Sequence, residues 1–201
     1  MSKMSKKKVI GITGSMGSGK SEISRYLRNK YPVLDCDQVN ADLLKKGNLG
    51  YEKLKEMNIV ELDSNGQIIK ESLASYMFSN EKHRKQVEAI LHPLIFDEMH
   101  KWICEQESSI VFVEMPILFE ISAQEHFDSI WCVVADLDVA LSRLQTYRNF
   151  TREQALARLV SQMNPEEKMA KSDVVLRNNS TVEQLHMQIE DALKEEKLNG
   201  D

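Results

Sequence analysis

A chain of 201 residues, 42% of them hydrophobic, is long enough to bury a full core as one α/β domain with insertions. Its formal charge of −5 excludes a general nucleic-acid binder, whose affinity would rest on clustered Lys and Arg, and no run approaches the roughly 18 consecutive apolar residues that cross a bilayer. Cys36, Cys104 and Cys132 are odd in number and lack C-x-x-C spacing, so they support neither a disulfide framework nor a zinc site and read as reduced thiols of a cytoplasmic protein.

The basic leader Lys3, Lys6, Lys7, Lys8 is not followed by the apolar segment of a signal peptide or anchor and reads as a solvated terminus. Residues 9–13 form a short apolar run that reads as a buried strand. Directly after it, Gly14-Ser15-Met16-Gly17-Ser18-Gly19-Lys20-Ser21 fits the phosphate-binding pattern G-x-x-x-x-G-K-[ST] without a mismatch. Gly14, Gly17 and Gly19 can take backbone angles closed to other residues, so that consecutive N–H groups turn around phosphate oxygens. Residues 20–30 read as a helix whose N-terminal dipole adds positive potential at the same point. The Lys20 ammonium is expected at the β- and γ-phosphates of a nucleoside triphosphate and the Ser21 hydroxyl on Mg²⁺.

A second strand at 32–35 ends in Asp35-Cys36-Asp37. In parallel sheets ligands bind beyond the carboxyl ends of strands, which makes both aspartates candidates. Two residues apart, they share a face while the chain stays extended. Either can take a proton from a hydroxyl nucleophile, hold Mg²⁺ through water, or cap the following helix. Residues 36–109 are far too long for an ordinary crossover and imply an inserted, largely helical lobe, set at about 59–105, that includes the turn Asp63-Ser64-Asn65-Gly66. Within it, residues 83–100 carry helical spacing interrupted at Pro93, and His92 reads either as a packing residue or as part of a site. His83, His100, His126 and His186 show no metal-like grouping.

A third strand at 110–114 ends in Glu114-Met115-Pro116, and a fourth follows at 130–134. Arg143, Arg148, Arg152 and Arg158 then recur along a charged segment in which Thr151-Arg152-Glu153-Gln154 resembles a helix start. This is either a solvated face or a lid, at about 143–171, that brings arginines to a transferring phosphoryl group. A fifth strand at 174–176 and a helix at 182–197 close the chain. The nucleotide-binding core is thus expected at about 1–58, 106–142 and 172–201. The fold class that follows is a P-loop NTPase-type three-layer α/β sandwich with a five-stranded parallel sheet, a helical insertion and a lid.

Taken together, these motifs resemble the dephospho-coenzyme A kinase family. The likeness runs nearly end to end: Ile12-Thr13-Gly14 through Lys20-Ser21, the Asp35-Cys36-Asp37 pair, Leu91-His92-Pro93-Leu94-Ile95, Pro116-Ile117-Leu118-Phe119-Glu120, and the later set of Arg148-Asn149, Gln154-Ala155, Arg158, Gln162, Lys168, Ser172-Asp173 and Asn178. The resemblance implies transfer of the ATP γ-phosphoryl group to the ribose 3′-hydroxyl of dephospho-CoA, the final step of coenzyme A biosynthesis, with Mg²⁺. It implies that Asp37 is the base and that Arg143 or Arg148 stabilises the migrating group. His92 and the stretch Pro116–Glu120, with Pro116 and Leu118 in it, would shape the acceptor site, and Asn178 would approach the nucleotide base. The chain departs from the family where Ala41, beside Asp42, stands in place of an arginine, and where Lys70 stands for another, keeping the charge without the bidentate fork. The partners implied are ATP and dephospho-CoA, with neither nucleic acid nor membrane; the oligomeric state is not set by sequence, and a monomer is compatible with it. The alternative is another P-loop nucleoside or nucleotide kinase. A GTPase switch would call for an N-K-x-D guanine-reading sequence, which the chain lacks.

Overall fold

The computed structural model describes residues 7–198, so Lys3 and Lys6 of the basic leader lie outside the described residues. In chain order the elements are β1 (Lys8–Gly14), α1 (Lys20–Leu27), β2 (Val33–Asp35), α2 (Cys36–Leu43), α3 (Leu49–Glu56), α4 (Lys70–Ser79), α5 (Glu81–Glu105) and β3 (Ile110–Glu114). They continue with β4 (Ser129–Val134), α6 (Leu137–Arg148), α7 (Arg152–Val160), α8 (Pro165–Ala170), β5 (Val174–Arg177) and α9 (Val182–Leu198). The five strands form one parallel sheet in the order β2-β3-β1-β4-β5, covered by helices on both faces.

The strand carrying the phosphate-loop motif is central. Ile10 lies opposite Phe112 on one side and Ser129 on the other, and Ile12 opposite Glu114 and Trp131. Because both faces are covered, β3 and β4 are buried at every position and read as continuous apolar runs rather than alternating ones. The pleat still sorts the side chains. Ile10, Ile12, Phe112, Trp131, Val133 and Leu176 join Ile23 and Leu27 of α1 and Leu185 and Ile189 of α9 in one core. On the other face the backbone at Gly11 comes so close to the chain after β3 that a Cβ there would meet Leu118 Cδ1 at 2.8 Å. Behind the sheet, buried Glu196 of α9 accepts from Ser129 Oγ (2.5 Å) and Trp131 Nε1 (2.9 Å) and pairs with Lys8 Nζ (2.6 Å).

The chain forms two compact units. One holds the chain up to Leu34 and from Gln106 onward; the other is Asp35–Glu105. The second therefore begins some way before the expected residue 59. The reason is that α2 and α3 pack on α5, so that Leu54 and Ile59 share a core with Leu73, Val87 and Leu91. Its hairpin is closed by an antiparallel bridge between Leu62 and Ile68; Asp63 Oδ1 accepts from the N–H groups of Asn65 and Gln67 (both 2.8 Å), and Gly66 takes φ 73°. The interruption expected at Pro93 is absent: α5 runs unbroken from Glu81 to Glu105. Proline removes the N–H that would bond the carbonyl four residues back, but Val87, Leu91 and Leu94, at helical spacing across that point, are buried and hold the helix by packing. Residues 143–171 do not separate as a unit of their own and belong with the sheet.

Candidate active site

The phosphate loop leaves β1 at Gly14 and enters α1 at Lys20. Its glycines at 14, 17 and 19 are required by geometry. Gly14 has φ 148° and a Cβ there would lie 2.2 Å from the Val133 carbonyl; Gly19 has φ 101° and a Cβ would lie 2.0 Å from Asn178 Nδ2. Gly17 is also left-handed, at φ 76°. The first turn of α1 leaves N–H groups that no helical carbonyl can take, and their dipoles point toward the loop. Lys20 Nζ currently donates to the carbonyls of Gly14 (2.8 Å) and Ser15 (3.0 Å), folding the ammonium over the loop. Ser21 is exposed in the first helical turn.

The loop is held from outside by residues distant in sequence. Asn178, buried after β5, donates from Nδ2 to the Ser18 carbonyl (2.8 Å) and accepts at Oδ1 from Arg143 (3.1 Å). Arg143 also donates, over longer 3.4 Å contacts, to the carbonyls of Gly17 and Ser18. Gln162 Oε1 accepts from Met16 N–H (2.9 Å), while the Met16 side chain packs on the cluster of Leu141, Leu144 and Ala155 from α6 and α7. Thr151 starts α7 with a capping box, accepting from Gln154 N–H while Gln154 Oε1 accepts from Thr151 N–H.

Arg143 and Asn178 meet at the loop, a pairing that sequence did not anticipate, and the Asn178 amide is engaged with loop and arginine rather than presented to a base. Arg148 ends α6, exposed; five residues on, it lies about 140° round the helix from Arg143. Pro116 is half-buried, and its carbonyl accepts from Thr13 Oγ1 (3.1 Å). Leu118, expected to line the acceptor site, is fully buried beneath Gly11 and packs the core instead.

Sequence marked Glu114 as a candidate only through its place at the end of the third strand and gave it no specific role. It ends β3 beside β1, is buried, and accepts from Ser24 Oγ at 2.5 Å. Ser24 follows Ser21 by three residues on α1, so the carboxylate and the Ser21 hydroxyl lie along one helix face. The signal in the sequence was a carboxylate closing an apolar strand, at the end of the sheet where ligands bind.

In the second unit, Asp35 is a helix cap: Oδ1 accepts from the N–H groups of Asp37 (2.9 Å) and Gln38 (3.3 Å). The chain turns into α2 at Cys36, so the two aspartates do not share an extended face as expected. Asp37 sits exposed in the first turn. Lys70, exposed, opens α4, where no side chain caps the helix. His92 is half-buried on α5, and burial, only partly offset by Glu88, holds its pKa below the ordinary value, which keeps it neutral at pH 7.

Among the described residues no group of three or more His, Cys, Asp or Glu could hold a metal ion, and no helix is long and apolar enough to cross a membrane. The family model described as dephospho-CoA kinase matches residues 8–184. A dephospho-CoA kinase of Bacillus cereus is 34% identical over 192 residues, covering 92% of this chain and 96% of that protein. Among solved structures, the protein TT1252 of Thermus thermophilus is 32% identical and aligns with a TM-score of 0.83 over 94% of this chain and 98% of that one. A dephospho-CoA kinase of Campylobacter jejuni, 24% identical, shares the fold with a TM-score of 0.70 over 97% of this chain and 100% of that one.

Proposed function

The chain belongs to the dephospho-CoA kinase family, and on that premise we propose that it transfers the γ-phosphoryl group of ATP to the ribose 3′-hydroxyl of dephospho-CoA, giving CoA and ADP as the final step of coenzyme A biosynthesis. The observation that carries the chemistry is the complete phosphate loop, Gly14 to Ser21, with its carbonyls tied back by Asn178 and Arg143.

Turning the Gly17 and Ser18 carbonyls onto amide and guanidinium donors keeps their negative ends away from the phosphates and costs no reorganisation during reaction. Lys20 needs only rotate its flexible stem to exchange two carbonyls for β- and γ-phosphate oxygens. Of the two candidate arginines, Arg143 on α6 is the one that reaches the loop; its contacts there are long, and the five-donor fork has capacity left for phosphoryl oxygens. Asp37 is the base: Asp35 is engaged in capping, whereas Asp37 is exposed just past the end of β2. It takes the 3′-hydroxyl proton as that oxygen bonds to the γ-phosphorus and the bond to the ADP oxygen breaks.

Ser21 and Glu114 fit Mg²⁺, as hard oxygen donors along one face of α1 that suit an ion keeping several waters. When bound, the ion neutralises charge on the phosphates. Lys70 is the acceptor-phosphate contact we favour, since a cation at a helix N-terminus adds to the positive end of the dipole instead of offsetting it. Pro116 lies after β3, at the carboxyl end of the sheet where ligands bind, and His92 serves the acceptor as a neutral group. A cavity of about 590 Å³ between Met16 and Ser18 on one side and Leu156, Leu159 and Met169 on the other gives α7 and α8 room to close as a lid. The reaction calls only for small-molecule partners, and we place it in the cytoplasm.

The test is a panel of acceptors offered with ATP: dephospho-CoA, nucleosides, nucleoside monophosphates and shikimate. Turnover confined to dephospho-CoA is expected; a higher kcat/KM on a nucleoside or nucleotide would replace this reading with the alternative kinase.

A further inference from the structure

Lys168 of α8 is fully buried, and a buried ammonium is tolerated only when it is paired and hydrogen-bonded. Its Nζ lies 2.8 Å from Glu120 Oε1 and donates to the Pro116 carbonyl at 3.0 Å. Both acceptors belong to the stretch that follows β3. Two further contacts make the cluster more than a packed ion pair. The Pro116 carbonyl that takes Lys168 also takes Thr13 Oγ1, from the residue before the phosphate loop, at 3.1 Å. The Glu120 oxygen that takes Lys168 also takes Met163 N–H at 3.3 Å, next to Gln162, whose Oε1 holds Met16 N–H of the loop at 2.9 Å. The bonds therefore form a closed circuit: from the loop at Thr13 to Pro116, through Lys168 to Glu120 and Met163, and back to the loop at Met16.

Lys168 is fully buried while its partner Glu120 reaches the surface; stability alone does not call for a lysine here, because replacing a buried charge by an apolar side chain of similar volume is often neutral or stabilising. What an ammonium adds is a single point at which a carbonyl and a carboxylate are drawn together by donors spread in three dimensions. We propose that Lys168 is a positioning residue for phosphoryl transfer: it sets the Pro116–Glu120 stretch and the phosphate loop in fixed register, without itself touching either substrate. The proposal rests on the kinase reading above. A misplacement of the order of 1 Å at such a distance from the chemistry can cost up to about 10²-fold in rate.

The experiment compares Lys168→Met, Lys168→Arg and the double variant Lys168→Met/Glu120→Gln with wild type. Melting temperatures are measured, and kcat and both KM values are taken well below each melting point. Lys168→Met leaves the Glu120 carboxylate without its cation and is expected to lower both the melting temperature and kcat. The double variant removes the orphan charge and should recover most of the melting temperature while kcat stays at least about tenfold low. Lys168→Arg keeps the charge but cannot hold both oxygens at one point, so a folded protein with reduced kcat is expected, and it supplies the comparison if the methionine variants do not fold. A wild-type kcat in any folded variant overturns the proposal and leaves the lysine as a fold element only. Failure of wild type itself to phosphorylate dephospho-CoA is a separate result and overturns the kinase reading instead.

Discussion

Replacing Asn178 by alanine separates two roles for that residue, reading the nucleotide base or shaping the phosphate loop. The substitution deletes the 2.8 Å bond to the Ser18 carbonyl and the 3.1 Å bond from Arg143, in a residue only 6% exposed. The Ser18 carbonyl keeps only the 3.4 Å contact with Arg143. Leaving a buried polar group under-satisfied costs about 1–3 kcal/mol, so a loss of about 2 kcal/mol is expected. For a domain of this size each kcal/mol lowers Tm by about 2–4 °C, which gives a fall of about 4–8 °C. The loosened loop should also weaken ADP binding by about tenfold, equivalent to about 1.4 kcal/mol, and GDP binding by the same factor, because the support sees phosphates and not the base. Calorimetric melting and titration with ADP and GDP measure all three quantities. An unchanged Tm together with a shift in the ADP to GDP preference would refute the supporting role and return Asn178 to the base.

Asp37→Asn should lower kcat by about 10²-fold or more while ATP binding is kept, and Asp35→Asn should do little, since asparagine caps a helix as well as aspartate; steady-state kinetics showing the reverse would exchange the two roles. Lys70→Ala should raise KM for dephospho-CoA by about tenfold or more, the scale of one charge-assisted contact, with KM for ATP unchanged, no fall in Tm because a cation is disfavoured at a helix start, and recovery in Lys70→Arg. Burial works to raise the Glu196 pKa, but bonds from Lys8, Ser129 and Trp131 outweigh it and hold the carboxyl below the ordinary value. Its stabilising contribution is therefore present above the unfolded-state pKa, near 4.5, and is lost as pH falls through the lower folded value. Glu196→Gln should cost about 3 kcal/mol at pH 7 and flatten the melting profile below pH 4.5; a variant as acid-sensitive as wild type would assign that loss elsewhere.

The sheet was legible because each strand is a short β-rich apolar run, and the phosphate loop because glycine at 14, 17 and 19 is a steric necessity, visible as residue type. What sequence could not show were relations set by packing. Pro93 reads locally as a break, and only burial of Val87, Leu91 and Leu94 around it explains why α5 continues. The boundary at Asp35 depends on which surface α2 and α3 bury, a choice that their own composition leaves open. The family resemblance implies a site role for Leu118, and the close approach of Gly11 shows why it is interior. Lys168 and Glu120 are separated by nearly fifty residues, and nothing in the local pattern of either marks their contact.

The most direct test is the position of the phosphate in the product. Purified protein is incubated with ATP, Mg²⁺ and dephospho-CoA, and the products are followed by phosphorus NMR with coupling to the ribose protons. One ADP should appear for each acceptor consumed, with a new phosphomonoester coupled to the ribose 3′-proton. ADP without phosphorylated acceptor, or a phosphate on any other hydroxyl, would contradict the account.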